Sequence, residues 1–431
     1  MLTWSKRYRL RGAVTRRLWP IPLAFGVVAV VLAQFVGGIY GTHTADSSTT
    51  FDSSSAQATL GAIASGMLVF IGFVFSVVTF AIQYEASTYT PRLLRAIADS
   101  AAMRLTLGVF IATFVYALLS LAQIEPDREY RYAVLVAGVL VGVSLLFFLA
   151  LMTEVADRAR SGRTVGDVAR EGRRVIDRTC RRELDPDAAV SDTPSLDGNG
   201  RVVSGSGVTG GVVQAIHVDG LVEIAARHHV VIELVPEVGG FVASDAPLFR
   251  VHGDAPGFQD DDLIGAIAIG EERTSEQDPR LSIRILVDIA IRALSPAIND
   301  PTTAVEALER VGDLLLLLST RALPDGVHRD RSGTVRLVVP VPTWDDYVEL
   351  AFTEIRLYGA GSPFVAREMR RSLASLRRQA PASRQSAIER QVGLLEHAVQ
   401  ESGSESATAD VAAVDASSRP DGAAGGGSAR T

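Results

Sequence analysis

The sequence predicts a membrane α-helical protein with four transmembrane helices, plus a cytoplasmic α+β domain made of a small β-rich unit and a helical bundle. Three observations carry this. Four long apolar runs lie in the first third of the 431 residues, the stretch 211–251 is rich in valine and punctuated by glycine and proline, and apolar positions recur at helical spacing from Leu281 onward. The overall composition, 47% hydrophobic and 21% charged, averages these parts into the profile of a soluble protein.

The runs 21–40, 60–82, 105–123 and 133–152 contain no charged side chain. At about 1.5 Å per residue, about 20 helical residues cross a hydrocarbon core about 30 Å thick. Lys6, Arg7, Arg9, Arg11, Arg16 and Arg17 precede the first run, as in a signal peptide. Its apolar stretch is too long for one and no small-residue cleavage motif follows, so it is read as a retained helix. The loop 41–59 has no Lys or Arg, the loop 85–104 has Arg92, Arg95 and Arg104, and the segment after Met152 is rich in arginine. The third loop has Arg128 and Arg131, but beside Glu125, Asp127 and Glu129. The positive-inside rule then predicts a plasma-membrane protein with both termini cytoplasmic.

Within the runs the polar groups are hydroxyls and amides: Gln34, Ser65, Ser76, Thr79, Gln83, Thr113, Tyr116, Ser120 and Ser144. A proton or metal transporter needs a titrating or coordinating group at depth, and these runs have none. Packing is the favoured role for the hydroxyls, with close approach at Gly37 and Gly41, Gly72 and Ser76, and Gly138 and Gly142. Ser76, Thr79, Gln83 and Glu85 are the candidate pore or inner-mouth residues, being polar at the inner end of the second helix.

Residues 1–153 thus form the transmembrane domain. Residues 154–184, with nine arginines against six acids and Val165, Val168, Val175, Ile176, Cys180 and Leu184 near helical spacing, read as a basic amphipathic juxtamembrane helix. Its arginines suit either anionic lipid head groups or acidic neighbours in a connector helix. The Asp, Pro, Ser and Gly of 185–207 make a linker. In the β-rich unit, 208–270, strands are expected at 211–217, 230–235 and 241–251, with a short helix at 220–227 and a turn at 236–240. The pattern resembles the small sandwich of biotinyl and lipoyl carriers, yet Lys6 is the only lysine, so neither group can be carried there. The mainly helical domain, 271–401, has helices at 281–294, 301–321, 344–358, 362–379 and 383–401, with an edge strand at 336–341. Residues 402–431 read as a disordered tail.

The absence of other lysines also removes P-loop and Schiff-base chemistry, and the lone Cys180 removes disulfides and cysteine zinc sites. His217, His228, His229 and His252 have no metal-ligand spacing, and Ser204 and Ser206 lie in a Gly/Ser stretch without the turn that a serine nucleophile needs. No enzyme activity and no cofactor are expected. The net charge of −7 disfavours nucleic acid. The densest polar constellation is Glu272, Arg273, Asp278, Arg284, Asp288, Arg292, Asn299 and Asp300. Within it Arg273, Asp278, Asp288, Arg292, Asn299 and Asp300 are the candidate cytoplasmic ligand or structural cluster. Asp288 and Arg292 are spaced for an intrahelical pair, and arginine neighbours suit salt bridges better than proton transfer.

The run from Phe75-Ser76 through Gln83 to Thr90-Pro91-Arg92-Leu93-Leu94-Arg95, then Leu107-Gly108-Val109-Phe110 and Phe114-Val115-Tyr116, resembles the bacterial predicted membrane proteins grouped as domain of unknown function 2254. So do Glu272-Arg273-Thr274 with Gln277-Asp278, Leu286-Val287-Asp288-Ile289-Ala290 and Ala293-Leu294-Ser295-Pro296-Ala297-Ile298-Asn299-Asp300-Pro301. Thr90 stands where that family more often has serine, and Thr302 where it often has phenylalanine. The resemblance implies a multi-pass plasma-membrane protein with a cytoplasmic domain and no assigned activity. Two functions are expected from the residues: a homo-oligomeric channel-like protein gated or assembled by its cytoplasmic domain, or a membrane-anchored sensor or scaffold binding a small ligand or a protein. The partners expected are the lipid bilayer, anionic head groups and further copies of the chain.

Overall fold

The computed structural model describes residues 3–16, 19–39, 53–88, 101–124, 130–158, 161–184, 196, 200–205, 209–254 and 259–417. Two compact units emerge, each built from separate stretches: one from 1–167, 197–273 and 328–338, the other from 168–196, 274–327 and 339–431.

The first unit begins with α1 (Trp4–Arg16), α2 (Pro20–Ile39), α3 (Ser53–Thr88), α4 (Ala101–Ala122) and α5 (Arg131–Arg158). Three helices are long and apolar enough to cross a membrane, over Ser53–Phe80, Ala102–Ala122 and Arg131–Ala156. Of the four spans expected, the first corresponds to the shorter apolar helix Pro20–Val36. α4 is the central helix, packed against α2, α3 and α5, with Phe110, Tyr116 and Ala117 fully enclosed. Its neighbours present Val28, Val31 and Phe35 on α2, Val69, Phe75 and Phe80 on α3, and Leu135 and Leu146 on α5 to the outside. Large apolar side chains on the outer faces are what a hydrocarbon solvent permits.

Hydroxyls bind these helices together without ions. Thr113 Oγ1 lies 2.9 Å from Ser144 Oγ, and Thr106 Oγ1 donates to Phe147 O at 3.2 Å. Each such contact contributes roughly 0.6 kcal/mol. The glycines behave differently from the expectation of close approach. A Cβ on Gly72, Gly138 or Gly142 meets nothing within 4 Å, so their compactness is unused within one chain.

The same unit contains β1 (Arg201–Ser204), β2 (Gly211–Ile216), α7 (Val218–Arg227), β3 (Val231–Leu234), β4 (Phe241–Val242), β5 (Pro247–His252), α8 (Asp260–Ile264), β6 (Ile267–Gly270), β7 (Val327–Arg329) and β8 (Val335–Val338). One sheet has the order β1-β5-β3-β8-β7 and the other β4-β2-β6. β8 is not the edge strand expected from its alternation: it runs parallel to β3, pairing Ile232 with Leu337, and β7 covers its other side. One buried face carries Ile232, Leu234, Phe249, Val251 and Leu337, and α7 packs over β3 and β8. α1 belongs to this assembly. Trp4 stacks on His217 with centroids 5.1 Å apart and planes within 5°, Tyr8 stacks on Trp4, and Ser5 N donates to Gly265 O at 2.9 Å.

The second unit is helical: most of α6 (Ser161–Thr179), then α9 (Pro279–Ala293), α10 (Pro301–Ser319), α11 (Trp344–Gly359), α12 (Pro363–Gln379) and α13 (Gln385–Ser417). α9 packs on α10 and α11, α10 on α12, and α13 closes over α11 and α12. The apolar face of α6 is used inside this unit, where Ala169, Val175 and Ile176 are buried. Its arginines find acids there: Arg173 meets Asp313 at 2.7 Å, and Arg174 meets Glu171 at 3.3 Å. Buried Arg384 donates to Leu318 O in the last turn of α10 and, at 2.7 Å, to Arg321 O just beyond its C-cap. A cation at a helix C-terminus meets the negative end of the macrodipole. Its guanidinium also covers the Trp344 ring at 4.9 Å, and burial pulls its pKa below the ordinary arginine value. α13 continues past Ser402 to Ser417, where a tail was expected.

Candidate functional site

On α3, buried Ala56, Leu60, Ala64, Met67, Val74 and Val78 recur every three or four residues and face the other helices. Gly61, Ser65, Gly72, Ser76, Thr79 and Gln83 follow the same rhythm on the opposite side, where Ser65, Gly72, Ser76 and Gln83 are exposed. Their hydroxyls are satisfied inside the helix: Ser65 by Gly61 O at 2.8 Å, Ser76 by Gly72 O at 3.0 Å and Thr79 by Phe75 O at 2.8 Å. These groups therefore line no channel within one chain; they form a weakly polar stripe on its outer surface. Thr79, at the stripe's margin, also borders an apolar cavity between α2, α3 and α4. The side chain of Glu85 and the segment Thr90-Pro91-Arg92-Leu93-Leu94-Arg95 lie outside the described residues.

Most of the polar constellation lies along α9 and at its two ends. Asp278 is buried at its N-cap, Asp288 sits about 15 Å further along at about 1.5 Å per residue, and Asn299 and Asp300 lie beyond its other end. Arg273 follows β6 in the first unit, where Gln214 Nε2 donates to the neighbouring Glu272 O at 2.9 Å. Arg292 occupies the last turn of α9, and its carbonyl accepts from Ser295 Oγ at 2.7 Å.

Asp288 takes its ion pair from Arg284, one turn earlier, at 2.5 Å. Arg284 also grips Glu354 of α11 through both terminal nitrogens, one of them at 2.8 Å from Oε2. The Glu354 hydrogen bond, more than the pairing with Asp288, holds the Arg284 guanidinium protonated well beyond the ordinary arginine range. Glu354 had no signal in the sequence, since only the packing of α11 on α9 brings it there. The arrangement is a two-helix clamp, with both carboxylates engaged by one guanidinium.

Between α9 and α10 the chain turns through Ser295 to Asp300. Ser295 O accepts from Asn299 N at 2.9 Å, Asp300 N donates to Ala293 O at 2.8 Å, and Asn299 adopts φ +48°, which asparagine tolerates. Asp300 caps α10, accepting from Thr302 N and Thr303 N at 3.1 Å and from Thr303 Oγ1 at 2.5 Å. Thr302 contributes to this cap through its backbone. The Thr303 hydroxyl, and then the backbone donors, hold the Asp300 carboxyl below the usual carboxylate range. Asp300→Ala is expected to cost about 1 kcal/mol and Asp300→Asn much less. A depressed folded pKa gives stability that is complete above the unfolded value near about 4 and fades as pH falls through the folded value. Thermal melts of wild type and Asp300→Ala therefore converge on acidification below about pH 4.

The histidines serve local roles. His252 Nε2 lies 2.9 Å from Glu233 Oε2, and His217 holds the N-cap of α7 under Trp4. Among the described residues no group of three or more His, Cys, Asp or Glu side chains is arranged to hold a metal.

Comparison with known proteins places these features in a family. Residues 15–375 match the family model described as predicted membrane protein, domain of unknown function 2254. The uncharacterized protein Rv1290c of Mycobacterium tuberculosis and the uncharacterized protein Mb1321c of Mycobacterium bovis are each 30% identical over 420 residues, covering 91% of this chain and 77% of theirs. No solved structure matches. With most of its length inside the matched region, the chain belongs to the family of predicted membrane proteins known as domain of unknown function 2254.

Proposed function

We propose that the protein is a homo-oligomeric, channel-like component of the plasma membrane, whose copies meet through the outer stripe of α3 and are gated or assembled by the domain beyond the membrane. The observation that carries this reading is the stripe itself: small, hydroxyl and amide groups at Gly72, Ser76 and Gln83 on the side of α3 turned away from its own bundle. Facing lipid alone, glycine and glutamine there bring no packing benefit. Between copies, glycine permits close approach and the amide lines a polar path.

Four crossings with both termini cytoplasmic are part of the proposal. Three crossings would leave α1 and the β-rich unit on opposite sides of the bilayer, whereas Trp4 stacks on His217. An even number satisfies that contact, and the 20 residues of α2 span about 30 Å. The arginines of the juxtamembrane helix then lie at the cytoplasmic surface, where anionic head groups are a proposed partner.

Conductance of the reconstituted full chain under voltage and tension tests the reading. Currents altered by Gln83→Leu and Ser76→Leu are expected; an assembled oligomer silent under both stimuli overturns it. A second reading, a membrane-anchored sensor or scaffold, draws on the helical unit. Ile298, Leu357, Tyr358 and Phe364 are exposed apolar side chains at the ends of its helices, suited to a protein partner or ligand. Silence in the conductance experiment moves the weight to this surface.

A further inference from the structure

Between the first half of α2, the last third of α3 and the first half of α4 lies a cavity of about 770 Å³, walled by Leu23, Val27, Val78, Leu107 and Ile111. The one hydroxyl on it, Thr79 Oγ1, is already spent on Phe75 O. Its volume is in the roughly 300–1,000 Å³ range of sites that take a small ligand, and its walls are apolar apart from Thr79 and the Trp19 indole at one end. Left empty, its lining forfeits dispersion contacts on every side. The cavity opens between exposed apolar side chains, Val27 and Phe75 among them, so access is sideways from the hydrocarbon layer.

Depth and charge narrow the occupant. From Trp19 to Val30 the α2 wall rises about 16 Å at about 1.5 Å per residue, close to the depth of one leaflet, about 15 Å. Trp19 and Met103 mark one end, and indole rings favour the head-group level. Arg104 follows Met103 and shares the helical face of Leu107 and Ile111 through its three- and seven-residue spacing. The chain leading to Trp19 carries Lys6, Arg7, Arg9, Arg11, Arg16 and Arg17, with no acid before Asp46. We infer that this cavity holds one acyl chain of an anionic phospholipid, its head group drawn to the basic end beside Trp19 and Arg104. The inference needs α2, α3 and α4 to lie in a bilayer and is independent of any conductance.

The test uses the full chain, purified in detergent, stripped of lipid and offered phosphatidylglycerol or phosphatidylcholine before native mass spectrometry. One phosphatidylglycerol retained per chain, in preference to phosphatidylcholine, is expected. Val27→Trp fills the cavity from an exposed wall and is expected to lose the adduct, while Leu146→Trp on the outer face of α5 keeps it. Arg104→Gln is expected to abolish the preference between the two head groups. Val30→Phe repeats the filling should Val27→Trp fail to fold, judged by its elution and melting temperature. Equal retention of both lipids by wild type, or undiminished retention by a folded filling variant, overturns the inference.

Discussion

Arg284→Ala is expected to destabilise the helical unit by about 3 kcal/mol, because it leaves Asp288, with only 10% of its side chain exposed, without the guanidinium beside it. Removing one partner of an enclosed ion pair costs more than removing both, since the remaining charge keeps its desolvation penalty with less to offset it. The double replacement Arg284→Met with Asp288→Leu is therefore expected to recover most of the loss. Arg284→Lys is expected to recover little, because an ammonium cannot reach two carboxylates with paired donors. A fall of roughly 6–12 °C in melting temperature for Arg284→Ala, with partial return in the double variant, is the pattern to look for. Equal losses in single and double variants would contradict a desolvation penalty at Asp288.

The other large effect is expected at Gly172. A Cβ there would sit 2.8 Å from Ser282 Cβ and 2.9 Å from Leu314 Cδ1, so α6 lies flush against α9 and α10. Gly172→Leu cannot be absorbed by a rotamer change alone and is expected to cost about 3 kcal/mol, at the upper end of overpacking effects. Its consequence is mechanical as well as energetic. α6 follows the last apolar helix in the chain, and its contacts with α9 and α10 hold it to the helical unit. Faster tryptic cleavage at Arg170, Arg173 and Arg174 in Gly172→Leu, with α2 to α5 still protected, would report that α6 has come away. Unchanged cleavage would show that the contact yields without cost.

Local chemistry made much of this legible in the sequence. Ser295-Pro296 and Asp300-Pro301 end one helix and start the next, and α9 and α10 stop and begin within two residues of those signals. Glycine, valine and proline marked β2 and β3 in the same way, but the single strand expected over 241–251 divides into β4 and β5, which join different sheets. What stayed hidden depends on distant partners. β8 alternates like an edge strand, and nothing near Leu337 announces that Ile232 will pair with it. β1 is four residues inside a polar stretch, given its role only by β5. The constellation around Asp288 read as one group because its members are close in sequence, but a helix spreads such neighbours along its length. Glu354, which completes the clamp with Arg284, lies on another helix. The stripe on α3 was visible as residue types at the inner end of a span; which way it faced required the packing of α3 on α4.

The direction that stripe faces is the centre of the account, and disulfide trapping in native membranes tests it most directly. Cys180 is the only cysteine, it is buried, and burial raises its thiol pKa, so it gives little background. Under a mild oxidant, Ser76→Cys and Gln83→Cys are expected to yield covalent dimers of the full chain, while Leu146→Cys, on the exposed outer face of α5, stays monomeric. Monomers throughout, or dimers from Leu146→Cys as readily as from Ser76→Cys, would contradict an assembly built on α3.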